Sequence, residues 1–72
     1  MTSGLEKIKE NLGKNIRKYR KILKFTQFEL GVQMDVTEDY IQALETGRRT
    51  PSAKILGKLA DTLKVEPYEL LK

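Results

Sequence analysis

Cysteine, histidine and tryptophan are absent from the 72 residues, and the absences exclude whole classes of protein. Without cysteine no disulfide can staple a small domain; without cysteine or histidine the usual zinc ligands and nucleophile–base pairs have no side chains to build on. Only carboxylates remain as metal ligands, and nothing in their spacing marks a site, so no metal, no cofactor and no catalytic residues are expected. No apolar run approaches the roughly 18 residues of a membrane span, and the N-terminus lacks the apolar core of a signal peptide. A cytoplasmic protein with no membrane partner is expected. The length allows one domain, at the small end where a core is marginally stable and a partner chain helps.

Charge is plentiful and unevenly placed around the net +4. Residues 1–24 carry eight basic and two acidic side chains, residues 25–47 no basic and five acidic (Glu29, Asp35, Glu38, Asp39, Glu45), and residues 48–72 six basic and three acidic. Attraction to a polyanion therefore has to come from the flanks, because phosphate contacts supply most non-specific affinity for nucleic acid.

The acidic middle is also the best organised stretch. Thr26 and Glu29 form a T-x-x-E capping box, with Phe25 and Leu30 at the positions of a hydrophobic staple. The signature partly recurs at Thr37, flanked by Val36 and Ile41. Between the two helix starts Met34-Asp35-Val36 leaves room only for a sharp turn with one residue at positive φ, which Asp tolerates better than most. Gly47 supplies a left-handed stop. Two short helices joined by a turn of three to four residues make a helix-turn-helix.

Upstream, Ser3 and Glu6 form another capping box, and Leu5, Ile8, Leu12, Ile16, Tyr19 and Leu23 recur at helical spacing, predicting a helix over about 4–24 after a frayed end at 1–4, with Gly13 a possible break. Downstream, Pro51 and Ser52 precede a helix over about 53–64 with Ile55, Leu56, Leu59, Ala60 and Leu63 as its buried stripe. Pro67 then suits the first position of a short fifth helix containing Tyr68, Leu70 and Leu71. The expected fold is all-α, five helices, with the helix-turn-helix formed by the second and third.

Gln27, Leu30, Val36, Thr37, Ile41, Leu44, Glu45, Gly47 and Pro51, extended by Leu12-Gly13, Ile16-Arg17 and Arg20 and by Leu56 to Leu71, resemble the phage-repressor (Cro/repressor, xenobiotic-response-element) helix-turn-helix family. The sequence departs from that pattern at Gly31, usually Ala, and at Asp35, usually Gly. The family's first helix begins near Leu12, which divides the chain into an extension, 1–11, and a DNA-binding domain, 12–72. The seam Leu5-Ile8-Leu12 then packs either on the domain or on a second chain. Phe28, at a normally polar position, covers either that extension or a partner.

The resemblance implies an ion pair between Arg20 and Glu45, and a major-groove reader in the second motif helix with Thr37, Glu38, Asp39, Gln42 and Ala43 at base-reading positions. A helical wheel with Ile41 and Leu44 inward puts Asp39, Gln42, Ala43 and Thr46 outward. Gln42 suits adenine, Glu38 or Asp39 suits cytosine N4, and Ala43 suits a thymine methyl; none of them reads guanine bidentately. Gln27, Arg48 and Arg49 are expected to meet phosphates, and Tyr40 either phosphate or the core edge. Pairing of two copies through Leu63, Val65, Tyr68, Leu70 and Leu71 is implied as well. The leading expectation is a sequence-specific transcriptional regulator of the repressor kind, a homodimer on double-stranded DNA. The alternative is a protein-interaction module that turns the acidic face to a basic partner.

Overall fold

Four of the five helix starts carry a side chain that ties down one of the otherwise unpaired amides of a first turn. The computed structural model describes residues 3–72 as α1 (Gly4–Ile22), α2 (Gln27–Met34), α3 (Glu38–Glu45), α4 (Ala53–Leu63) and α5 (Pro67–Leu71), with no strand among the described residues. The hydroxyls of Ser3, Thr26, Thr37 and Ser52 accept from the amides of Glu6, Glu29, Tyr40 and Ile55 at 3.1, 3.0, 3.1 and 3.2 Å. Glu29 returns the favour at 2.9 Å to the Thr26 amide, completing the box. Of the frayed end expected at 1–4, Met1 and Thr2 lie outside the described residues, Ser3 is a cap and Gly4 opens α1.

The first four helices end alike, on a left-handed residue followed by a doubling back of the chain. Lys24, Asp35, Gly47 and Lys64 have φ of 62°, 58°, 78° and 61°. The amides after them, on Phe25, Val36, Arg48 and Val65, return to Arg20, Gly31, Ala43 and Ala60 carbonyls at 3.1, 2.9, 2.9 and 3.0 Å. The expectation of positive φ in the motif turn thus falls on Asp35. Gly31 belongs to the same turn: a Cβ there would lie 2.7 Å from the Val36 carbonyl oxygen, so the alanine usual in the family does not fit.

α1 runs unbroken through Gly13, as the helical spacing over 4–24 predicts, and the break that this glycine would allow does not occur. Gly13 sits buried mid-helix because the end of α3 passes over it: a Cβ would lie 2.5 Å from the Glu45 carbonyl oxygen and 2.9 Å from that of Leu44. Its glycine permits close packing, not bending. Residues 4–11 are the first two turns of this continuous helix, and Leu5 and Ile8 on them stay 57% and 47% exposed, so they do not pack on the domain. Nor does the extension cover Phe28, which is 61% exposed.

The core draws on every helix: Leu12 and Ile16 from α1, Leu30 and Met34 from α2, Ile41 and Leu44 from α3, Leu59, Ala60 and Leu63 from α4, and Leu70 from α5. The staple residues Phe25 and Val36 lie half-buried against it. Leu63, expected both in the buried stripe of α4 and at the pairing surface, keeps only the first place, and Leu70, expected at that surface, lies in the core. Both are essentially inaccessible, because a five-residue α5 has only one residue to spend on the core and the α4 stripe ends at Leu63. Side-chain amides of α1 hold α5 in place, Asn15 donating to the Leu70 carbonyl at 3.0 Å and Asn11 to that of Lys72 at 3.3 Å, which satisfies carbonyls that a helix end leaves free.

Candidate nucleic-acid interface

The outward side of α3 is positioned by what its inward side grips. Ile41 and Leu44 are fully buried, and Glu45, one residue on, turns its carboxylate to Arg20 of α1. Arg20 Nε and Nη2 donate to Glu45 Oε2 and Oε1 at 2.6 and 3.1 Å, a two-pronged pair, while Nη1 donates to the Phe25 carbonyl at 2.8 Å. The two side chains are only 10% and 4% exposed, so the pair is held in a medium that screens it poorly. One guanidinium therefore ties α1, the entry to α2 and the end of α3 together.

Gln27 joins this cluster. Its amide donates to Glu45 Oε1 at 3.2 Å, which corrects the expectation of a side chain turned outward to phosphate; the physical reason is that Glu45 offers a carboxylate lone pair that Arg20 leaves unfilled.

Thr37, Asp39, Tyr40, Gln42, Ala43, Arg48 and Arg49 line one concavity, open to solvent, of about 490 Å³. The chain brings them together because the doubling back at Gly47 returns Arg48 and Arg49 alongside α3: both their amides donate to the Ala43 carbonyl, at 2.9 and 3.2 Å. That same return covers Ala43, which is only 6% exposed and so forms the floor of the concavity; its expected place as a protruding outward residue is corrected. Glu38, Asp39, Gln42, Thr46, Arg48 and Arg49 are exposed. Thr37 spends its hydroxyl as the cap of α3. Tyr40 does rest against the core edge, half-buried, and the Arg49 guanidinium lies over its ring at 5.3 Å, so ring and cation share one face.

Thr46 carries a role its sequence position did not reveal. Its hydroxyl donates to the Gln42 carbonyl at 2.9 Å and accepts from Arg48 Nε at 3.2 Å. A threonine four residues after a helical carbonyl can make the first bond by its rotamer, but the second depends on where the chain goes after Gly47. Glu38 lies instead with Asp39 beside a second, smaller hollow lined by Phe28, Val32, Val36 and Thr37. Among the described residues Arg20–Glu45 is the one ion pair, so neither acid of the first α3 turn is matched to Arg48 or Arg49. No helix among the described residues is long and apolar enough to cross a membrane.

Known proteins share this arrangement. Residues 16–70 match the family described as Helix-turn-helix. YazB of Bacillus subtilis (strain 168), an HTH-type transcriptional regulator, is 33% identical over 58 residues, which span 81% of this chain and 84% of that protein. The restriction-modification controller protein C.AhdI from Aeromonas hydrophila superposes with a TM-score of 0.81 at 29% identity, over 86% of this chain and 94% of that one. The hypothetical transcription factor NHTF from Neisseria does so with a TM-score of 0.87 at 26% identity, over 100% and 83%.

Proposed function

The chain belongs to the Cro/repressor-type helix-turn-helix family and is a DNA-binding transcriptional regulator, and from that premise we propose that it represses by occupying an operator, with α3 laid in the major groove. The observation that carries the proposal is the shared concavity, in which Asp39, Gln42, Arg48 and Arg49 line one open face. Gln42 offers an amide to an adenine edge, and Glu38 and Asp39 offer acceptors to cytosine N4. Their like charge opposes phosphate, and Arg48 and Arg49 at the rim, with Lys24 before α2, offset it. The N-terminus of α2 suits a phosphate, since a helix start favours negative charge.

In this proposal the protein acts as a cytoplasmic homodimer on two half-sites about 34 Å apart. With Leu63 and Leu70 in the core, Val65, Tyr68 and Leu71 remain for contact with a second copy, and Leu5 and Ile8 on the extension 1–11 add apolar surface that the domain 12–72 does not cover. No catalytic step is assigned to it.

Salt-dependent binding to a generic duplex tests the reading. Affinity is expected to fall between 50 and 200 mM salt with a slope of about −0.9 for each phosphate neutralised, and Arg48→Ala with Arg49→Ala is expected to flatten it. The reading through an acidic protein-binding face requires the opposite, no duplex binding even at low salt.

A further inference from the structure

The two arginines that follow Gly47 are held in different ways, and the difference assigns them different targets. Arg49 lies over the Tyr40 ring at 5.3 Å, a contact made through the face of its guanidinium that fixes no N–H edge. Arg48 is fixed by its Nε, which donates at 3.2 Å to Thr46 Oγ1, and that hydroxyl is itself anchored at 2.9 Å to the Gln42 carbonyl of α3. With Nε occupied, the edge of the guanidinium left free is the one bearing Nη1 and Nη2. Two parallel N–H donors on one edge match the N7 and O6 acceptors that guanine presents in the major groove.

We propose that Arg48, oriented by Thr46, is a specificity residue that reads a guanine in each half-site, while Arg49 remains a phosphate contact. The inference rests on the DNA-reading assignment of α3 and goes beyond it by naming a base. It also accounts for an acidic reading helix. Guanine readout is missing from the helix proper, whose exposed side chains are acids and an amide, and Arg48 supplies it from just past the helix end. Asp39 to Thr46 rises about 10 Å, close to three base-pair steps, so Asp39 accepting from a cytosine and Arg48 donating to a guanine fall on separate base pairs. Thr46 acts as a positioning residue and touches no base.

The test is selection from a duplex pool with a randomised 20-base-pair centre, run with the parent protein and with Arg48→Ala, Arg48→Lys, Arg49→Ala and Thr46→Val, each checked for an unchanged helical spectrum. The parent is expected to enrich one invariant guanine per half-site; Arg48→Ala is expected to level that position, losing tenfold or more in discrimination, with the rest of the consensus intact. Arg48→Lys restores only part of it, because an ammonium lacks the two-pronged fork. Replacing that guanine by 7-deazaguanine, which removes the N7 acceptor, should weaken the parent and leave Arg48→Ala unaffected. Thr46→Val should lower the preference without abolishing it, and Arg49→Ala should lower affinity equally for all sequences. An unchanged consensus with uniformly weaker binding of Arg48→Ala overturns the inference and leaves the DNA-reading assignment standing. A parent that enriches no sequence overturns both.

Discussion

Glu45 offers the sharpest reading of how single residues carry this domain. Removing its carboxylate strands the charge of an Arg20 side chain that is only 10% exposed, so Glu45→Ala is expected to lose about 3–5 kcal/mol in urea melts, a large share of the stability of so small a domain. A melt that coincides with the parent would show that Arg20 finds water or another acceptor. Two glycines give a matched pair of opposite sign. Gly57→Ala adds a methyl with nothing within 4 Å and should raise stability by about 1 kcal/mol through helix propensity alone. Gly13→Ala gains the same propensity but drives a methyl into the Glu45 and Leu44 carbonyls, and a net loss of about 1–3 kcal/mol is expected in the same assay. A neutral Gly13→Ala would mean that α1 and α3 can part more easily than their packing suggests.

At the scale of elements, the left-handed ends of α1 and α4 are held by lysines where glycine is the unstrained residue. Lys24→Gly and Lys64→Gly are each expected to stabilise the domain against thermal unfolding, by about 1 kcal/mol of relieved strain less the entropy glycine adds to the unfolded chain. A drop in melting temperature would show that the lysine side chains contribute contacts of their own. Caps and staples are local patterns, and for that reason the starts of all five helices and the turn at Asp35 were legible in the sequence. The role of Gly13 was not, because a glycine that bends a helix and one that admits a neighbour look alike until the neighbour is placed. The same holds for Ala43: a wheel puts it 130° from the core, but the chain returning after Gly47 covers it from outside. Gln27 and Thr46 stand out in the sequence as candidates for DNA contact but not as the partners of Glu45 and Arg48, since both contacts depend on tertiary placement.

For the whole molecule, the proposed pairing of two copies draws on exposed apolar residues at the outer ends of α1 and α5. Sedimentation of Tyr68→Lys with Leu71→Lys should shift a parent dimer to monomer while leaving the melting profile of the monomer intact, because neither side chain is in the core. A parent that sediments as a monomer at high micromolar concentration would remove pairing through these residues from the account. The Arg20 lock has a further consequence. It fastens α3 from behind, through Glu45 alone, while Glu38, Asp39 and Gln42 stand exposed on the other side. Under the proposed reading of α3, substitutions on that side leave the pair that holds the helix untouched, so altered operator preference is expected at little loss of folding.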